Sequence, residues 1–150
     1  MSITNKQIKL AARPVGLPKD SDWNLVESPM PEAGEGEVLV KNLYLSIDPA
    51  MRGWMNEGKS YIAPVEIGEV MRAGSAGVVV ASNHPAFTEG DYVTGMLGVQ
   101  EYAVSGAKGL VKVDTSFAPL PRFLGTLGMP GMTAYFGLRE IGQPKTGENF

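Results

Sequence analysis

Apolar residues gather in short blocks along the first three quarters of the chain, and Gly, Pro and Asp interrupt them at frequent intervals. Ile3 to Arg13 reads as a first strand of mixed polarity, closed by Pro14-Val15-Gly16-Leu17-Pro18, whose prolines favour an extended or turning path. Trp23-Asn24-Leu25-Val26-Glu27 carries apolar residues on alternate positions and reads as a second strand, followed by a loop marked by Pro29, Pro31, Gly34 and Gly36. The strongest strand signal runs from Glu37 to Ile47. It is long, rich in β-branched and aromatic residues, and apolar enough in part to be buried on both faces, so it belongs inside a sheet. Asp48-Pro49 ends it, and residues 50–56 predict one or two helical turns with Asp48 as the cap and Pro49 first in the helix. That turn would present Arg52 and Tyr61 near a strand's carboxyl end.

Further strands are predicted over Val65–Val70, Val78–Ser82, Tyr92–Met96, Gln100–Val104 and Leu110–Val113, with turns at Gly74-Ser75-Ala76-Gly77 and Thr88-Glu89-Gly90-Asp91. Many short strands with such turns indicate a barrel or sandwich. The pattern changes at Pro130, which suits a first helical position. Met132, Tyr135, Phe136, Leu138 and Ile141 then recur at spacings of three and four, and Gly142 and Pro144 end the helix. This stretch reads as a hinge into a helix, with the start of a second domain after it.

Composition narrows the chemistry. The chain has 150 residues and a net charge of −3, which suits one domain with a real core and gives no broad basic footprint. Nucleic acid and anionic membrane are therefore set aside in favour of a small-molecule partner. No apolar run has transmembrane length and the first residues do not resemble a signal peptide, so a cytoplasmic location is expected. With no cysteine, disulfides, thiolate nucleophiles and cysteine-bound metals are excluded together.

The sole histidine, His84, lies in Ser82-Asn83-His84-Pro85, a loop context. No Gly-x-Ser-x-Gly elbow occurs. Asp48, Glu69 and Asp91 stand at predicted strand ends, where turn and cap roles are usual for acidic residues. Tyr61 in Ser60-Tyr61-Ile62-Ala63-Pro64 either packs or offers its hydroxyl to a ligand. Gly128, Gly131 and Gly137 either pack closely against a neighbouring element or lay bare backbone against a cofactor.

Five segments in order carry a resemblance: Leu43-Tyr44-Leu45-Ser46-Ile47-Asp48-Pro49-Ala50-Met51-Arg52-Gly53, Ser60-Tyr61-Ile62-Ala63-Pro64, Gly90-Asp91-Tyr92-Val93, Leu127-Gly128-Met129-Pro130-Gly131-Met132-Thr133-Ala134-Tyr135 and Gly142-Gln143-Pro144-Lys145-Thr146-Gly147-Glu148. Together they resemble the zinc-free, NADP-dependent alkenal/one oxidoreductases of the medium-chain dehydrogenase/reductase superfamily. The resemblance implies a mainly β, GroES-like, partly open barrel with short helices over residues 1–124. Residues 125–150 would supply a C-terminal linking helix and the start of a truncated Rossmann domain, with Phe150 in its first strand. The remainder of that domain would lie outside this chain.

The implied activity is NADPH-dependent reduction of the C=C bond of α,β-unsaturated aldehydes or ketones by a full-length enzyme, a homodimer, with the fragment alone inactive. Position by position, Tyr61 matches a substrate-facing tyrosine with a catalytic role. Met51 and Arg52 match the substrate wall, and Asp48, Met129 and Thr133 match the cofactor side. Ala50 departs from the tyrosine common in the family, which opens space and removes one donor. A zinc-free quinone oxidoreductase fragment and a non-enzymatic GroES-like binding module are the alternative readings.

Overall fold

The computed structural model describes residues 4–149, so Ile3 of the first expected strand and Phe150 of the expected Rossmann strand lie outside the described residues. Strand β1, Thr4–Leu10, pairs antiparallel with β2, Trp23–Pro29. The remaining strands are β3 (Val38–Leu45), β4 (Ser75–Ser82), β5 (Tyr92–Gly95), β6 (Tyr102–Ser105) and β7 (Val111–Lys112). They form one antiparallel sheet in the order β6-β3-β4-β5-β7. The long strand is thus internal, as its apolar run predicts. Val38, Leu39 and Val40 are buried, whereas Leu43, Tyr44 and Leu45 are exposed. The reason lies in the pairing: β6 reaches only from Val38 to Lys41, so the second half of β3 has a neighbour on one side.

Two sheets become a partly open barrel through backbone hydrogen bonds that no regular strand supplies. The Ile8 N–H donates to Val99 O at 2.9 Å, the Met71 N–H to Ile8 O at 2.8 Å, and the Leu10 N–H to Glu69 O at 3.0 Å. On the far side of this seam the Glu101 N–H reaches Lys6 O at 3.0 Å and the Asn42 N–H reaches Glu101 O at 2.8 Å. Side-chain amides reinforce it. Asn5 is 1% exposed and engages both backbone groups of Tyr102, its Nδ2 donating to the carbonyl at 2.8 Å and its Oδ1 accepting the N–H at 2.9 Å. Asn42 Nδ2 donates to Gln100 O at 2.9 Å, and Gln7 Nε2 to Gln100 Oε1 at 2.7 Å.

Two apolar clusters fill the interior. One, under the five-stranded sheet, comprises Val38, Val40, Val79, Phe87, Val93, Leu97 and Ala103. The other comprises Leu10, Met55, Val65 and Met71, with Trp23, Met51, Trp54 and Val99 against it, and carries the short helix α1, Ala50–Trp54. Gly77 is required where β4 crosses an irregularity in β3, because a Cβ there would overlap the Lys41 carbonyl.

Several sequence expectations need correction. Val65–Val70 is not a strand: Gly68 takes φ +89°, Glu66 to Glu69 forms a turn, and only Val70 bridges Lys9. Val65 is nevertheless buried, so its apolarity serves the second core cluster. The strand expected from Gln100 starts at Tyr102, since Gln100 and Glu101 are spent on the seam. Asp48 does not cap α1; the helix is entered through Pro49 with no side-chain cap, and the Asp48 carboxylate accepts the Ser46 hydroxyl at 3.0 Å. The C-terminal helix is α2, Met129–Phe136, and it passes into a π-helical segment, Gly137–Gly142, in place of continuing as one α-helix.

Replacing Asn5 by Ala should destabilise the chain by about 2–4 kcal/mol, because the buried Tyr102 partners are left unsatisfied; the urea unfolding midpoint reads this. Asp91 ties β5 to β7 through Lys112 Nζ at 2.7 Å and accepts the Thr88 N–H. Chiefly through Lys112 and then Thr88, its carboxyl is held below the ordinary value of 3.8. A lowered folded-state pKa contributes stability above the unfolded value and loses it as pH falls through the folded one. Asp91→Asn should therefore lower the thermal midpoint at neutral pH, with the difference from the parent vanishing on acidification below 3.8.

Candidate active site

The end of β3, helix α1 and the loop after β1 enclose an open cavity of about 710 Å³. Its floor is Ile8, Met55, Met71 and Val99, and Leu17, Trp23, Leu25 and Ile47 form its sides. Asp48, Met51 and Arg52, three of the residues selected from the sequence, line it as well. They are brought together because only Ser46 to Pro49 separate β3 from α1, which turns Met51 and Arg52 toward the β1–β2 pair. The lining is mainly apolar, which suits a ligand with a hydrocarbon body and few polar atoms.

Arg52 acts here as a clamp. Its Nε and Nη2 donate to Gly16 O, each at 3.0 Å, Nη2 also donates to Pro14 O at 2.9 Å, and Nη1 meets Asn56 Oδ1 at 2.5 Å. Most of its donors hold the loop that carries Leu17 into the wall. Asp48 is turned inward on itself, accepting from Ser46 while its backbone N–H lies 3.4 Å from Met51 Sδ. A second clamp, Arg13, binds Met55 O at 2.8 Å and Val65 O at 3.0 Å and pairs with Glu57 and Glu66. It joins the loop after β1 to both ends of the segment that holds Tyr61.

Tyr61, Met129 and Thr133 stand apart from the cavity. Tyr61 is 83% exposed, with its hydroxyl accepting the Trp54 Nε1–H at 2.9 Å. Of the two readings left open for it, packing is therefore not what holds it. Met129 is 78% exposed and Thr133 is exposed on the same helix, its Oγ1 donating to Met129 O at 2.8 Å. The glycines before and inside α2 resolve differently: a Cβ at Gly128 would overlap Phe123 O and one at Gly131 would overlap Thr126 O, whereas Gly137 has open space around it. The first two are needed for close packing before any ligand is considered. His84 sits partly buried in its loop, its Nδ1 accepting the Ala86 N–H at 3.1 Å.

Sequence reasoning did not find Ile8, Leu17, Trp23 and Leu25 as cavity walls. A signal existed for one pair: Trp23 and Leu25 hold alternate positions of the second predicted strand and so share a face. Trp54 and Arg72 near Tyr61 had no such signal, because a loop bridges them. Among the described residues no group of three or more His, Cys, Asp or Glu could hold a metal ion, and no helix is long and apolar enough to cross a membrane.

An antiparallel, mainly β domain with an unclosed barrel, an apolar cavity at the end of its longest strand and a trailing helix is the architecture expected of the N-terminal part of medium-chain oxidoreductases. The chain belongs to the family described as the N-terminal domain of oxidoreductase, whose model matches residues 6–113. It is 47% identical over 144 residues to the NADPH-dependent curcumin reductase of Escherichia coli (strain K12), covering 96% of this chain and 42% of that protein. With the NADP(+)-dependent 2-alkenal reductase of Nicotiana tabacum it shares 40% identity over 153 residues, 97% of this chain and 44% of that one. The solved structure of CurA from Vibrio vulnificus in complex with NADPH superposes with a TM-score of 0.87 at 47% identity, over 95% of this chain and 42% of that one. The chain thus spans less than half the length of these relatives.

Arg52→Ala should release the loop at Pro14–Gly16, costing about 1 kcal/mol of stability and accelerating amide hydrogen exchange at residues 15–17. Arg52→Lys should recover only part of the protection, since one ammonium cannot reproduce the planar fork.

Proposed function

We propose that this chain is the substrate-side part of an NADPH-dependent reductase of the C=C bond of α,β-unsaturated aldehydes and ketones, and that it is inactive alone. The observation that carries this reading is identity of 40% or more along nearly the whole chain to reductases named for NADPH or NADP(+) dependence. A second observation agrees with it. Met129, Met132, Tyr135, Phe136, Leu138 and Ile141 leave apolar side chains exposed along α2 and the π-helical segment, the kind of surface that a further domain covers. Residues 1–124 are then the substrate-side domain, and residues 125–150 lead into a nucleotide-binding one.

The residues on α2 fit the nicotinamide end of the cofactor. Met129 offers an exposed, polarizable surface for a ring, and the Thr133 hydroxyl, having spent its hydrogen on Met129 O, keeps its oxygen free to accept from a carboxamide. When bound, NADPH supplies a hydride for the β-carbon of the substrate. Met51 and the clamped Arg52 loop wall the apolar body of the substrate. Tyr61, which stands outside the cavity, donates its hydroxyl hydrogen to the carbonyl oxygen of a substrate whose polar end reaches beyond the cavity mouth, where negative charge grows as the C=C bond is reduced. Ala50 in place of a tyrosine leaves more space and one donor fewer at the start of α1, favouring bulkier enones.

The test is NADPH consumption by the full-length enzyme with a 2-alkenal and, separately, with a quinone. The expected result is turnover of the alkenal to the saturated aldehyde and none by the 150-residue chain alone. Faster quinone reduction with no alkenal turnover would sink this proposal in favour of a quinone oxidoreductase. Tyr61→Phe in the full-length enzyme should lower kcat about tenfold to a hundredfold with the alkenal.

A further inference from the structure

Tyr61 belongs to a small assembly that includes two residues with no assigned role. The Trp54 Nε1–H donates to the Tyr61 hydroxyl oxygen at 2.9 Å. An indole N–H can only donate, so the phenol is the acceptor in this bond and its own hydrogen is left over. Among the described residues no acceptor engages that hydrogen. The Arg72 guanidinium lies over the Trp54 ring, 5.6 Å from its centroid, and its Nη1 donates to Ala63 O at 2.9 Å. Arg72 therefore holds both the indole and the end of the loop that carries Tyr61, by a cation–π contact and a hydrogen bond. Trp54 is in turn anchored against the second core cluster.

We infer that Trp54 is a positioning residue for Tyr61, with Arg72 as its support. The indole N–H occupies a lone pair of the phenol oxygen and leaves the O–H to point outward at a substrate carbonyl. Because Tyr61 is largely exposed, neighbouring side chains do not hold its ring, and the bond to Trp54 sets the direction of the hydroxyl. A hydroxyl that accepts one hydrogen bond is also polarised toward donating the next. The inference rests on the reading of Tyr61 as the donor to an enal or enone. Arg72→Met would loosen the same geometry without touching either aromatic residue.

Two experiments separate this inference from the reading beneath it. In the full-length enzyme with NADPH and trans-2-hexenal, Trp54→Phe keeps an aromatic ring beneath Arg72 and removes the N–H together with one ring of the indole, so Arg72→Met, which leaves the indole whole, is measured beside it. Trp54→Phe should lower kcat about fivefold with KM little changed, and add nothing further to Tyr61→Phe. Wild-type kcat in Trp54→Phe, with Tyr61→Phe impaired, would overturn the positioning role and leave the donor role standing. Unimpaired Tyr61→Phe would overturn the donor reading and the inference with it. In the 150-residue chain, which holds two tryptophans, Tyr61→Phe should shift one indole N–H resonance upfield and speed its solvent exchange. An unmoved pair of indole signals would remove the contact itself, whatever the activity.

Discussion

The seam between the two sheets depends on side-chain amides standing where a strand is missing. Asn5 presents a donor and an acceptor to Tyr102 as a backbone partner would, and Asn42 and Gln7 converge on Gln100 from either side. Without them, the segment from Leu97 to Glu101 would bury unpaired polar groups between the β1–β2 pair and β3, at a cost of about 1–3 kcal/mol for each. Asn42 spends its donors on carbonyls and leaves its own Oδ1 buried without a partner, so the network is tight at that point. Everything on the cavity side, Ile8 and Val99 included, takes its position from this seam.

Arginines do the corresponding work at the periphery. Arg13 holds the Met55 and Val65 carbonyls, Arg52 the Pro14 and Gly16 carbonyls of the loop after β1, and Arg72 the Ala63 carbonyl in the loop of Tyr61. A planar guanidinium suits this use because several fixed donors can satisfy several loop carbonyls at once. The loops that wall the cavity and carry Tyr61 therefore hang on three long side chains, with little apolar packing of their own. α1 sits between them, turning Met51 and Met55 inward and handing Trp54 to the tyrosine loop.

The apolar helix that follows the barrel has the opposite character. Gly128 and Gly131 lock its start onto the turn before it, while Met129 and Ile141 remain bare. Its backbone is closely packed at one end, and apolar side chains stay exposed along the rest.

The amino-acid sequence alone determined that the fold is mainly β, that Val38–Val40 is internal, that a helix follows Pro130 and that cysteine chemistry is absent, because each follows from local periodicity, turn residues or composition. The five ordered motifs also carried the family, since residue identity at fixed spacing survives without knowledge of contacts. Periodicity misread Val65–Val70, where one left-handed glycine outweighs the apolar residues around it. Only the tertiary structure decided that Asp48, Met51 and Arg52 share a cavity with Ile8 and Leu25, and that Tyr61 stands outside it on the Trp54 indole. Those contacts join residues from separate segments across loops, and no spacing along a strand or helix encodes such a meeting; it arises when the seam closes and the arginines draw the loops in.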